Sequence, residues 1–273
     1  MFATEPTTDS PLFALDHVVV TPHLGASTVE AQDKAGTTVA EMVRLALKGE
    51  FVPYAVNISA GAEVSEIVRP FLPLAERLGT LLAGLAESGV REVECAYLGR
   101  IAESDTRVLT LGILKGILRG VVNEPVSFVN APMLAKERGL AVSEMRSTVS
   151  QDYVSLISLR ADTDAGPVKV GGTLLGKKNA ERVMQIDDFD VEIAPAEHMI
   201  FFTYTDVPGV IGTVGTILGE HHVNIGTMEV GRKSEGGQAL MCLTVDAAVP
   251  SDVLEHIAAE IGADRLRAIT LPV

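Results

Sequence analysis

The spacing of apolar residues alternates along the chain between periods of about 2 and about 3.6, and each change marks an element. Toward the C-terminus, 198–204, 223–230, 239–245 and 266–271 read as strands, with helical spacing over 209–218 and 251–261. The order βαββαβ is the ferredoxin-like split βαβ plan, with 231–237 joining its two central strands. In the middle, Leu74, Leu78, Leu81, Leu82 and Leu85 form the stripe of a Pro-interrupted helix that Gly89 is expected to close. Val93, Cys95 and Tyr97 alternate as a strand with one buried face, and Val108, Leu111, Leu114 and Leu118 recur at helical spacing. A shorter helix is expected after Asn130, and strands over 153–160, 168–175 and 183–186 complete an antiparallel or mixed sheet.

The first segment is less regular. His17, Val18, Val19 and Val20 make a short strand pattern, and Ser27 with Glu30 forms the reciprocal pair that caps a helix start. That helix runs to about Gly49, which supplies a left-handed stop, and its apolar face is Val39, Met42, Val43, Ala46 and Leu47. A linker over 50–61 ends the segment. The pattern divides the chain into 1–57, 58–195 and 196–273 and places it in the α+β class.

Composition narrows the partners. Acidic residues outnumber basic ones by 36 to 22, a formal charge of −14 with no block of five like charges, which argues against nucleic acid. The uncharged run 207–219 is too short and too rich in glycine to span a bilayer, so no membrane association is expected. Cys95 and Cys242 lie far apart in apolar stretches without an export signal before them, which suits a reducing cytoplasm.

Residues able to carry chemistry are few. His23, between Pro22 and Gly25, sits in a loop that can present an imidazole; a packing histidine and a proton carrier are both open readings. Glu5, if in contact, would fix its tautomer. The stretch Gly171-Gly172-Thr173-Leu174-Leu175-Gly176-Lys177-Lys178 approaches a phosphate loop, but Lys178 stands where a magnesium-holding hydroxyl belongs, so nucleotide hydrolysis is rejected. It is either a strand end and turn with a solvated basic pair, or a simple anion site of Lys177, Lys178 and Arg182. No G-x-G-x-x-G dinucleotide fingerprint occurs. Asp206 lies where the first strand of the βαββαβ unit turns into its helix. It is either an N-cap worth about 1 kcal/mol, or part of a site in which free helix N–H groups and a carboxylate hold a small amino acid. Asn224 would then face the same place across a subunit interface. His221 and His222 are adjacent, point apart, and offer no metal-ligand spacing; no metal site is expected.

These residues bear a family resemblance. Phe2-Ala3-Thr4-Glu5-Pro6, Ser10-Pro11-Leu12-Phe13, and Val18-Val19-Val20-Thr21-Pro22-His23-Leu24-Gly25-Ala26-Ser27-Thr28 with Glu30-Ala31-Gln32 resemble the end of the catalytic region of D-3-phosphoglycerate dehydrogenases. Phe128-Val129-Asn130-Ala131-Pro132 and Gly172-Thr173-Leu174 resemble the intervening domain of the long form of that enzyme, and the βαββαβ unit resembles its serine-sensing ACT domain.

The resemblance implies that 1–57 is the remnant of an α/β catalytic region, 58–195 an intervening allosteric substrate-binding domain, and 196–273 an ACT domain through which the chain forms a homo-oligomer. It implies an NAD-dependent oxidoreductase of L-serine biosynthesis, converting 3-phosphoglycerate to 3-phosphohydroxypyruvate in the cytoplasm. His23 is then the acid/base that takes the hydroxyl proton, and Glu5 the carboxylate that orients it. Tyr204, Asp206 and Asn224 match positions lining the serine site. Arg182 matches a basic position for a phosphorylated effector or substrate, although the acidic run 187–192 offers no second basic group. The family's Rossmann domain and catalytic arginine would precede Met1, so the chain is expected to be a C-terminal part that binds no NAD and turns over nothing by itself. The runner-up is a free-standing amino-acid sensor acting on a partner chain.

Overall fold

The computed structural model describes residues 2, 5–58 and 64–272; Ala3 and Thr4 of the opening motif and Gly61 of the linker lie outside the described residues. The chain forms two compact units, Met1–Lys48 and Gly49–Val273.

The first unit contains a 3-10 turn (Pro11–Ala14) and helix α1 (Val29–Leu47). Thr28, not Ser27, caps α1: its hydroxyl oxygen accepts from the Ala31 N–H at 3.1 Å, so the helix starts one residue later than the Ser27–Glu30 pair implied. The expected strand at 17–20 does not form. A strand is held by a neighbour's backbone, and among the described residues no ladder partner pairs with 17–20. The apolar face of α1 has the expected spacing, but no α1 side chain is buried.

In the second unit, helix α2 (Leu72–Leu85) buries the whole leucine stripe. It ends at Ala86 in extended geometry rather than at Gly89. Strand β1 (Val90–Gly99), helices α3 (Arg107–Leu118) and α4 (Ala131–Glu137), and strands β2 (Ala141–Ser147), β3 (Ser155–Thr163), β4 (Gly166–Leu175), β5 (Ala180–Ile186) and β6 (Phe189–Ile193) follow. They form a six-stranded sheet in the order β2-β1-β3-β4-β5-β6, mixed because β1 and β2 run parallel while the other neighbours are antiparallel. Strands β2 and β6 were not expected. The first is an exposed edge with no apolar alternation, and the second hides in the acidic run, where Phe189, Val191 and Ile193 alternate inward with Asp190 and Glu192 outward.

The remainder builds a second sheet from β7 (His198–Thr205), helix α5 (Val210–Glu220), β8 (Ile225–Arg232), β9 (Gln238–Val245), helix α6 (Ser251–Ile261) and β10 (Arg265–Thr270), in the order β10-β7-β9-β8. This is the expected ferredoxin-like plan. Both faces of its central strands, β7 and β9, are buried. Ile200, Phe202 and Tyr204 of β7 face a core closed by Val214 and Leu218 of α5 and Ile257 of α6. Met199 and Phe201, with Leu240, Cys242 and Ile269, join instead the core that α2 and the six-stranded sheet build around Leu78 and Leu81.

Glycines set how closely α2 and α3 approach. A Cβ on Gly79 would run into the Ile113 carbonyl, and one on Gly116 into the Glu76 carbonyl. Backbone cannot yield as a side-chain tip does. Gly79→Ala and Gly116→Ala should each lower stability by about 1–3 kcal/mol, seen as an earlier urea midpoint at unchanged slope; a neutral effect of both would contradict this packing.

Candidate functional site

Strands β7 and β9 are antiparallel, with Thr205 opposite Gln238, so the loop leaving β7 meets the hairpin that joins β8 to β9. The Asp206 N–H donates to the Gly237 carbonyl at 2.8 Å and closes the junction. Helix α5 starts just beyond, after Gly209 in the left-handed region (φ 101°), and no side chain caps it. The capping reading of Asp206 is thus overturned: the chain takes three more residues to reach the helix start, which carries the carboxylate away from the first turn. Asp206 instead forms an ion pair with Arg232, Oδ2 to Nε 3.3 Å, with the carboxylate largely buried and the guanidinium about half exposed.

Around this pair lies a cavity of about 500 Å³, within the range of about 300–1,000 Å³ usual for small-molecule pockets. Tyr204 and Asp206 line it, with Val207, Val210 and Ile211 as apolar walls and Glu235 on the hairpin side. Burial first, and the Asp206 charge second, hold the Tyr204 phenol above its ordinary pKa, with Arg232 opposing. The phenol is a neutral hydrogen-bonding group at physiological pH. Opposite charges, a neutral hydroxyl and apolar walls suit a small zwitterion.

The structure brings Tyr204 and Asp206 together but not Asn224. Asn224 and Arg232 flank opposite ends of the 8-residue strand β8, roughly 25 Å apart at about 3.3 Å per residue. Asn224 is exposed and donates from Nδ2 to Asp246 at 2.9 Å. Arg182, on β5, lies 3.9 Å from Glu192 of β6 and donates to the Glu181 carbonyl at 2.8 Å. Lys177 and Lys178 stand exposed on the β4–β5 turn. The glycines before them serve packing: Gly172 lies inside β4, where a Cβ would press on Leu78 of α2 and the Arg182 carbonyl. In the first unit His23 and Glu5 are both exposed, and Glu5 accepts from the Phe2 N–H at 2.9 Å. Among the described residues no hydrogen bond or ion pair joins Glu5 to His23. His221 and His222 are exposed in the turn after α5. Among the described residues no group of three or more His, Cys, Asp or Glu is placed to hold a metal ion, and no helix is long and apolar enough to cross a membrane. Both cysteines are free and buried, and burial pushes the Cys95 thiol up to about 12.

Arg232 and Glu235 escaped the sequence reading, in which 231–237 was only a connection. The signal was topological: the βαββαβ order puts this hairpin beside the end of β7.

Residues 67–187 match the family model described as the D-3-phosphoglycerate dehydrogenase intervening domain, and residues 198–262 match the ACT domain. The chain carries an intervening domain of that dehydrogenase and an ACT domain. It is 42% identical over 272 residues to D-3-phosphoglycerate dehydrogenase of Mycobacterium leprae, covering 99% of this chain and 51% of that protein. The Mycobacterium tuberculosis H37Rv enzyme is 43% identical over the same length with the same coverage. That of Methanocaldococcus jannaschii is 36% identical over 258 residues, covering 94% of this chain and 49% of the relative. The chain thus spans about half the length of the curated relatives it matches.

The intervening and ACT domains are joined by polar contacts around the shared core. Arg265 of β10 donates to Asp187 at 2.7 Å, and Arg77 of α2 donates to the Pro272 carbonyl at 2.9 Å. Lys233, next to Arg232 on the hairpin, reaches Asp188 at 3.3 Å and lies 4.9 Å from the centroid of the Phe189 ring. Lys233 foremost, and then Lys169, hold the Asp188 carboxyl below its ordinary pKa. A depressed folded value stabilises the protein above the unfolded pKa of about 3.9 and is lost as pH falls through the folded value. Asp188→Asn should therefore lower the melting temperature slightly at pH 7 and leave it unchanged near pH 2; an equal difference at both pH values would contradict the pair.

Proposed function

We propose that the chain is the regulatory part of an NAD-dependent D-3-phosphoglycerate dehydrogenase of L-serine biosynthesis, and that L-serine binds the ACT cavity as a feedback effector. The cavity carries this reading: Asp206, Tyr204 and apolar walls converge at the uncapped start of α5, a polarity suited to a small amino acid. The matched domains and the names of the relatives support the rest. Serine entry would shift the balance between two arrangements of the whole enzyme, and substrate would change serine affinity by the same factor. A homo-oligomer paired through ACT units would bring Asn224 of a second copy to this cavity, since Asn224 does not reach it within one chain. The cytoplasm is the proposed location, in keeping with two free, buried cysteines.

His23 and Glu5 are proposed to act in the whole enzyme, where His23 accepts the hydroxyl proton of 3-phosphoglycerate and Glu5 orients the ring. The described residues do not fit NAD. Neither sheet presents the crevice between parallel βαβ units that a dinucleotide requires, and the glycine fingerprint is missing from the sequence. No step through NAD is assigned to these residues. Arg182, Lys177 and Lys178 are proposed as a weak anion site for the phosphorylated substrate, limited by the charge of Glu192 beside Arg182.

Titration calorimetry with L-serine tests the effector reading. The wild-type chain should bind saturably, and Asp206→Ala should weaken binding by at least tenfold through loss of the ammonium partner. Equal binding by both proteins would contradict the placement of the site, and no binding by either would contradict the effector.

A further inference from the structure

The Asp206–Arg232 pair poses a problem for any ligand of the ACT cavity. In the free chain the carboxylate that would receive an ammonium is already neutralised by a guanidinium 3.3 Å away. A simple amine would have to displace Arg232 and leave its charge without a partner in the site. A simple carboxylate would draw Arg232 away and strand Asp206, whose side chain is only 14% exposed, at a high desolvation cost. A zwitterion escapes both costs, because it brings one charge for each half of the divided pair.

We infer that Arg232 is the carboxylate-binding residue of the ACT cavity, so that an α-amino acid enters by splitting the Asp206–Arg232 ion pair, its ammonium meeting Asp206 and its carboxylate meeting Arg232. The assignment rests on the amino-acid reading of the cavity and deepens it. Three features of the site agree with it. Arg232 ends β8 on the hairpin rim, and its side chain is 56% exposed, free enough to swing from Asp206 to a ligand without unfolding anything. Guanidinium offers a planar fork that matches a carboxylate. The uncapped first turn of α5, which lines the cavity at Val210 and Ile211, supplies further N–H donors suited to a carboxylate. Glu235 adds negative charge to the rim, which disfavours amino acids with an acidic side chain.

The test titrates the full chain with L-serine, with ethanolamine (which lacks the carboxylate) and with glycolate (which lacks the ammonium), using wild type, Arg232→Gln and Arg232→Lys, each checked for an unchanged melting temperature. Wild type should bind serine at least tenfold more tightly than either truncated probe. Arg232→Gln should lose about tenfold to a hundredfold in serine affinity while ethanolamine affinity holds or improves, and Arg232→Lys should recover part of the loss. Serine binding to Arg232→Gln that equals or exceeds wild type would overturn the assignment, leaving Arg232 a mere competitor for Asp206. If wild type ignores serine, glycine, L-alanine and L-valine decide. Binding of one of them with the same Arg232 dependence upholds the assignment and discards serine; binding of none overturns both.

Discussion

The two central strands of the four-stranded sheet, β7 and β9, are apolar on both faces, and each face requires a cover. Along β7 the residues Met199, Ile200, Phe201 and Phe202 are all buried, and they alternate between two separate cores. Two helices of the ACT domain close one face, and the intervening domain closes the other. A continuous apolar run of this kind is the mark of a strand buried on both sides. The intervening domain therefore completes the ACT fold rather than merely being tethered to it. On β10 the same alternation turns Ile269, Arg265 and Arg267 toward the intervening domain, where Arg265 meets Asp187 and Arg267 meets Glu87.

This arrangement gives the cavity its reach. The cavity is built at the end of β7, on the hairpin that leaves β8, and both strands belong to the doubly covered sheet. Consecutive hairpin residues serve different domains: Arg232 holds Asp206 in the cavity, while Lys233 meets Asp188 and Phe189 of the intervening domain. Gly231, just before them, sits so close to β6 that a Cβ would press on the Asp190 carbonyl and the Phe189 side chain. A ligand that re-seats Arg232 would act on a hairpin packed closely against the neighbouring domain, a contiguous contact of the kind that can carry coupling between two sites.

Elements with strong periodicity were legible in the sequence: the leucine stripe of α2, the alternation of Val93, Cys95 and Tyr97, and the whole βαββαβ order. Edge strand β2 was not, because exposed residues carry no alternation, and β6 was masked by acidic residues on its solvent side. Residues 17–20 have the composition of a strand without a neighbour to pair with. Position, rather than residue type, decided the site. Asp206 has the chemistry of an N-cap but follows β7 too early to cap α5, and Gly171 and Gly172 resemble a phosphate loop while lying inside β4, where Gly172 admits Leu78 of α2. Arg232 ends β8 in a stretch without any motif, so only the fold could place it beside Asp206.

Hydrogen exchange across a urea series tests the shared core most directly, by following amides of β7 and β9 together with those of α2 and β4. One cooperative core predicts that the four elements lose protection together, with the same midpoint and the same slope. Loss of protection in β7 and β9 at lower urea, while α2 and β4 remain protected, would show an ACT domain that opens independently and would contradict the account.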